Sequence, residues 1–293
     1  MTLLSGVTVP LVTPMSAPGV PTEADKLLQA LADGGARGLM LFGTNGEGPL
    51  LPASALGAFA SWVAPRWREL TGGPVLCTVT AAGTAEVLER VAAVAPARPD
   101  ALVLSPPTYF RHRPDEIVAH FAALSDHPVV VYNVPKYANQ LTPELIDELL
   151  AMPHVVGVKD SSGDPEMVSH IVSAARRRPG VSVSQGSETQ ALEGLRRGAD
   201  GILPGLANIA PRVAADLFAA FSAGRDAEAE AAQQVLDRLF TLHTVRPGVP
   251  AIKAILHDRG LCPPHVALPL QPCTDVERRD LIALVGKELS ARR

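Results

Sequence analysis

The chain has 293 residues, 47% of them hydrophobic and 19% charged, with a formal net charge of −4 at pH 7. This length and balance suit one large α/β barrel with an extension, or two smaller domains, around a well-buried core. The slight negative charge offers no footprint for nucleic acid or an anionic membrane, and three widely spaced cysteines (Cys77, Cys262, Cys273) without a C-x-x-C pair speak against a disulfide framework or a zinc site.

The opening run MTLLSGVTVPLVTPM has neither the basic segment nor the long apolar stretch of a secretory signal. No stretch offers the roughly 20 continuous apolar residues of a spanning helix, so the cytoplasm is the expected compartment. Short apolar runs then recur along the chain. Strands are predicted at residues 7–12, 38–42, 75–79, 101–104, 129–132, 155–158, 181–184 and 201–203. Helices are predicted to start near Thr22, Pro52, Thr84, Pro114, Pro143, Pro165 and Glu188. Thr142-Pro143-Glu144 and Asp164-Pro165-Glu166 each place a capping side chain before a proline at the first helical position. The run Arg176-Arg177-Arg178 reads as the last turn of a helix, where cations complement the carbonyl end of the dipole; anion binding is the alternative.

Near-continuous apolar strands separated by helices indicate a parallel sheet buried on both faces. About eight such units match a closed (β/α)8 TIM barrel. An open doubly wound sheet is the alternative, weakened because no G-x-G-x-x-G follows the first strand. After Pro211 the pattern turns helical throughout, at 214–223, 227–244, 250–260 and 276–289. The expected architecture is a catalytic TIM barrel over residues 1–210 and a C-terminal helical extension over 211–293.

In such a barrel the chemistry sits at the carboxyl ends of the strands. The sixth predicted strand ends on Lys159. A lysine there is ordinarily a solvated loop residue; held against apolar walls, however, it is available as a free amine that attacks a ketone. The resulting iminium stabilises a carbanion on the adjacent carbon, the chemistry of making or breaking a carbon–carbon bond. Tyr132 ends the neighbouring strand. A lone tyrosine would fill the barrel top and bond a backbone carbonyl, but an imine-forming lysine also needs a proton donor and acceptor nearby. Thr44 and Tyr109 supply further hydroxyls on the same face, enough for a proton relay to solvent. The run Gly43-Thr44-Asn45-Gly46-Glu47-Gly48 is either a plain tight turn or a nest of backbone N–H groups suited to a carboxylate. It is not a P-loop, since no Lys-Ser or Lys-Thr follows. A 2-oxo acid carries a carboxylate beside the ketone that Lys159 would attack.

Together, Gly43-Thr44-Asn45-Gly46-Glu47, Tyr132-Asn133-Val134-Pro135 and Gly157-Val158-Lys159-Asp160 resemble the dihydrodipicolinate synthase / N-acetylneuraminate lyase family over nearly the whole chain. The resemblance implies a class I pyruvate-dependent lyase with Lys159 as the Schiff-base residue and no separate cofactor or metal. It implies Tyr132 as general acid/base and Thr44 and Tyr109 as relay members, the latter often supplied across a subunit interface. Thr44 and Asn45 would hold the pyruvate carboxylate by their backbone, and Gly186 and Leu203 would line the pyruvate end. It also implies a homotetramer or a dimer. The sequence departs from the family at Asn45, where a threonine is most common, and at Thr108, where a second tyrosine is usual. In the synthases an arginine two residues after the Asn-Val-Pro run binds the second carboxylate. Tyr137 stands at that position here, beside Lys136, which could compensate only as a point charge directed inward. Glu188 suits the hydroxyl groups of a polyol tail.

These features favour an aldolase acting on a 4-hydroxy-2-oxo or 2-keto-3-deoxy acid, ahead of a synthase condensing pyruvate with aspartate semialdehyde. A non-catalytic ligand-binding barrel leaves Lys159, Tyr132 and Thr44 without a use. A phosphate-handling isomerase leaves Lys159 and Tyr132 without a shared role, and a metal-dependent aldolase finds no ligand spacing among eight scattered histidines.

Overall fold

The computed structural model describes residues 2–290; the outermost positions of both expected regions, residue 1 and residues 291–293, lie outside the described residues. Among the described residues ten strands occur in chain order: β1 (Gly6–Pro10), β2 (Met15–Ala17), β3 (Val20–Pro21), β4 (Gly38–Leu41), β5 (Val75–Thr78), β6 (Ala101–Leu104), β7 (Val129–Asn133), β8 (Val155–Asp160), β9 (Ser182–Gln185) and β10 (Gly201–Ile202). Eight of them close into a parallel barrel in the order β1-β10-β9-β8-β7-β6-β5-β4, with helices on the outside: the expected TIM barrel.

The apolar strands sort their side chains by parity. Val130 and Tyr132 point into the barrel with Met40, Leu76, Val103 and Leu203, whereas Val129 and Val131 join the larger core between strands and helices. Because both faces are buried, most of the strands read as apolar runs; β9 (Ser182–Gln185) departs from this, alternating buried serines with Val183.

The expected caps form. Thr142 accepts a hydrogen bond from Leu145 N at 3.3 Å and Asp164 one from Glu166 N at 3.0 Å, ahead of helices Pro143–Ala151 and Pro165–Arg176. The arginine run closes the latter helix: Arg176 donates to Gly198 O at 2.6 Å and Arg178 to Met152 O at 2.7 Å, so these cations satisfy carbonyls.

Some boundaries move. The segment after β1 forms a small antiparallel hairpin, β2–β3, and the first helix starts at Asp25, later than Thr22. Glu188 opens a single 3-10 turn, Glu188–Gln190, and the helix proper begins at Ala191. β8 continues through Lys159 and Asp160, because both pair with strands on either side. The helix Pro211–Ser222 follows β10 and packs on the end of the first helix: Arg212 donates to Asp33 O, and a Cβ at Gly34 would fall 2.3 Å from Pro211 Cγ. It serves as the barrel's eighth helix, so the extension proper comprises Asp226–Phe240, Leu242–Val245, Val249–Asp258 and Asp275–Ser290. Among the described residues no helix is long and apolar enough to cross a membrane.

Candidate active site

Lys159 and Tyr132 are register partners on β8 and β7. Both point into the barrel, where they are 4% and 7% exposed. The ammonium of Lys159 lies 4.1 Å from the centroid of the Tyr132 ring and 4.0 Å from Met40 Sδ, and among the described residues no carboxylate pairs with it. The outward residues of the same strand ends, Asn133 and Asp160, brace this arrangement. Asn133 Nδ2 donates to Asp160 Oδ1 at 2.6 Å, and Ser162 Oγ donates to Asp160 Oδ2 at 2.9 Å. Burial pushes the Asp160 carboxyl up from its ordinary pKa, partly offset by those hydrogen bonds. Gly186 meets the lysine from β9. Its N–H donates to Asp160 O at 2.6 Å, and a Cβ there would sit 2.8 Å from Lys159 Cε and 2.2 Å from Ser161 Oγ. Only glycine leaves the lysine its room.

The loop from Gly43 to Gly48 is folded back on itself between two left-handed residues, Phe42 (φ 61°) and Glu47 (φ 56°). A Cβ on Gly48 would fall 1.9 Å from Phe42 O, which accounts for a glycine there. Three side chains from elsewhere pin the loop. Thr13 Oγ1 donates to Gly46 O at 2.7 Å and Arg90 Nη1 to Gly48 O at 3.0 Å. Glu47 forms an ion pair with Lys253, Nζ to Oε1 2.5 Å, both side chains being fully buried.

A cavity of about 350 Å3 opens beside this loop. Its lining includes the hydroxyl-bearing residues Thr44, Thr78, Thr80, Ser105, Thr108 and Tyr132 beside the apolar Phe42, Pro49, Leu50, Val134 and Leu270, and is mostly apolar. Among the described residues the one acidic or basic side chain on its lining is Glu47, already paired with Lys253. Tyr137 is also on the wall, half exposed, while the Lys136 ammonium lies 5.3 Å from the Tyr137 ring centroid, outside the wall. Lys159 itself is not on this wall; Tyr132, which is, links it to the cavity.

The residues singled out from the sequence thus divide. Thr44 and Tyr132 reach the cavity, Lys159 adjoins Tyr132, Gly186 adjoins Lys159, and Leu203 packs in the barrel interior with Met40 and Tyr132. Asn45 and Glu188 come together around Gly205 and are not among the residues lining the cavity: a Cβ on Gly205 would lie 2.3 Å from Asn45 Nδ2, and Gly205 N donates to Glu188 Oε1 at 2.8 Å. Tyr109 stays apart. It is 89% exposed, left-handed (φ 75°), and stacked edge-on against Phe110 with ring centroids 4.9 Å apart. No hydrogen bond joins the Thr44 and Tyr132 hydroxyls, so within one chain the relay is not closed. The loop carrying Tyr109 is nevertheless held firmly, with buried Asn139 donating to Pro107 O at 2.7 Å and Phe110 O at 2.8 Å and accepting from His112 N at 2.9 Å.

Sequence reasoning missed Lys253, Leu270 and the hydroxyls of Thr78, Thr80 and Ser105. Lys253 did leave a signal: it is the one charge inside Val249-Pro250-Ala251-Ile252-Lys253-Ala254-Ile255-Leu256, an otherwise apolar stretch.

A lysine buried at the carboxyl end of a TIM-barrel strand beside a tyrosine is the arrangement of Schiff-base lyases. The chain belongs to the dihydrodipicolinate synthetase family, whose model matches residues 3–288. It is 32% identical over 271 residues to a 4-hydroxy-tetrahydrodipicolinate synthase of Jannaschia sp. (strain CCS1), covering 89% of this chain and 90% of that one. It is 30% identical over 289 residues to an uncharacterized DapA-like lyase of Halobacterium salinarum, covering 96% and 92%. Among solved structures, dihydrodipicolinate synthase from Bacteroides thetaiotaomicron superposes with a TM-score of 0.90 at 26% identity, covering 98% of this chain and 99% of that one. Enzymes of the family are lyases that work through a covalent lysine–pyruvate Schiff base without an external cofactor.

Proposed function

We propose that the chain cleaves a 4-hydroxy-2-oxo or 2-keto-3-deoxy acid into pyruvate and an uncharged aldehyde, with Lys159 as nucleophile and Tyr132 as general acid/base. The observation that carries this reading is the lining of the cavity, mostly apolar with hydroxyl-bearing residues among it, where the described residues supply no free cation for a second carboxylate. Tyr137 presents a neutral hydroxyl there, and Lys136 is turned onto its ring instead of into the cavity. Losing a charge-assisted pair to a carboxylate costs about 1.5–3 kcal/mol, roughly ten- to a hundredfold in affinity.

In the proposed sequence the carboxylate of the 2-oxo acid rests on the backbone N–H groups of Thr44 and Asn45. The Lys159 amine adds to the C2 carbonyl, and Tyr132 delivers the proton with which the carbinolamine loses water. The C3–C4 bond then breaks: its electron pair passes into the iminium to give an enamine, and the C4 hydroxyl proton passes to Tyr132 as the aldehyde forms. Protonation at C3 and addition of water release pyruvate and the free amine. Gly186 and Leu203 bound the pyruvate end, and Thr44 relays protons outward.

The clamped, exposed Tyr109 loop supports a homo-oligomer, dimer or tetramer, in which this side chain completes a neighbour's relay. The unpaired cysteines Cys77 and Cys262, whose thiols burial pushes up to about 12, are in keeping with a cytoplasmic enzyme.

A second reading is favoured by the names of relatives such as that of Jannaschia: condensation of pyruvate with aspartate semialdehyde. Assays of both substrate sets decide. We expect kcat/KM for cleavage of hydroxylated 2-oxo acids to exceed that for condensation, and the opposite order overturns the proposal. Pyruvate with borohydride should add one mass increment per chain, on Lys159, and Lys159→Ala should abolish it in a folded protein. Labelling of any other lysine would remove the Schiff-base assignment.

A further inference from the structure

The buried pair of Glu47 and Lys253 joins the carboxylate-binding loop to the helical extension, although neither residue has a role in the chemistry above. We propose that Lys253 is a positioning residue: it fixes the Thr44–Asn45 backbone through Glu47 and masks the Glu47 charge from the carboxylate of the incoming 2-oxo acid. This rests on the Schiff-base reading given above.

The geometry is that of a three-way lock. Lys253 sits in the helix Val249–Asp258, with buried apolar residues on both sides. Its ammonium makes the ion pair with Glu47 Oε1 at 2.5 Å and donates to His265 O at 2.7 Å. The second oxygen of Glu47 accepts from Ala267 N at 2.7 Å. Loop, helix and the segment around Ala267 are thereby tied at one point, and Leu270, shortly beyond, is on the cavity wall. A non-glycine residue at φ 56° is disfavoured on its own and persists only where its surroundings hold it. The hold reaches the binding groups directly, because Glu47 N donates to Thr44 O at 3.2 Å.

Charge adds a second effect. Glu47 lies on the cavity wall. Without Lys253, Glu47 would be a buried carboxylate with no counter-ion beside a substrate that always brings a carboxylate: any charge it kept would repel that group in a setting that screens little, and a proton taken up to remove the charge would leave the loop without its ion pair. A purely structural ion pair would alter stability alone. A positioning pair alters the concentration of 2-oxo acid needed to fill the site.

The test measures borohydride trapping of pyruvate against pyruvate concentration. Lys253→Met should raise the half-saturating concentration by roughly tenfold or more, the usual scale when one partner of a buried charge pair is removed, with less change in the trapping rate at saturation. Methyl pyruvate, which has no carboxylate charge, should show a smaller increase. Glu47→Gln/Lys253→Met has no lone charge and keeps an acceptor for Ala267 N. It should lie in between, about threefold above the unaltered protein. A half-saturation unchanged in the double variant, with only its unfolding midpoint moved, overturns the proposal even if Lys253→Met fails to fold. No label at all in the unaltered protein removes the Schiff-base reading, and this proposal with it.

Discussion

Tyr132 is held by its ladder pairing with Lys159 and by the ring-to-ammonium contact, while its hydroxyl end belongs to the cavity wall. A single oxygen so placed can serve each proton transfer of the proposed cycle in turn. Tyr132→Phe should therefore lower kcat by roughly 10²–10⁴-fold, the usual contribution of a positioned acid/base. Thr44→Val should show a smaller loss. Steady-state rates on a 2-oxo acid decide, and near-full activity in Tyr132→Phe would make that hydroxyl structural. Both residues were legible in the sequence because they end or follow an apolar strand at its carboxyl end, where a barrel gathers its chemistry, although only the parity of β7 decides that Tyr132 points in and Asn133 out. Lys253 was less so: a lysine in a helix ordinarily reaches solvent, and its partner Glu47 lies 206 positions earlier in the chain. Only the folded arrangement shows that the two charges meet.

Among the elements, the helix Pro114–Ala122 carries the clearest consequence for stability. Its His120 is 2% exposed, with Nδ1 2.8 Å from Thr84 Oγ1 and a buried Nε2 that finds no hydrogen-bond partner among the described residues. Burial, and secondarily the nearby His112, lower its pKa from 6.5 to about 4. Unfolded, the imidazole takes up a proton as pH falls below about 6.5, whereas folded it resists until about 4. The unfolded state therefore binds more protons across that window, and stability declines as pH falls from 6.5 to 4. The full effect of such a shift is on the order of 3 kcal/mol. His120→Gln should flatten this limb, seen as a smaller difference between urea midpoints at pH 7.5 and pH 4.5. Equal differences in the two proteins would show that His120 titrates freely in the fold. Strand and helix order were plain from apolar periodicity, and cap-plus-proline signals fixed two helix starts. The hairpin β2–β3 escaped because strands of three and two residues carry too little pattern to stand out.

For the molecule as a whole, the unfinished relay points outward. Tyr109 is not among the residues lining its own chain's cavity, and its exposed ring packs edge-on against that of Phe110. We expect light scattering to find a homo-oligomer at micromolar concentration. Mixing inactive Lys159→Ala with weakened Tyr109→Phe chains should regenerate sites that draw each residue from a different subunit, so activity should exceed the sum of the parents. Activity no higher than that sum would confine each site to one chain. The parallel ladder bears on how such subunits can meet. It runs through all eight barrel strands and returns to β1, so no N–H or C=O row of the barrel is left open. Among the described residues the free strand edges belong to β2 and β3, the short hairpin that ends on Pro21, which has no N–H to donate. Association by strand addition thus has almost nothing to template on. Contact between copies must be made by helix and loop side chains, whose shape and charge can be specific where backbone pairing is not, and the partly unfolded chain, more than the native one, is the form exposed to edge-to-edge aggregation.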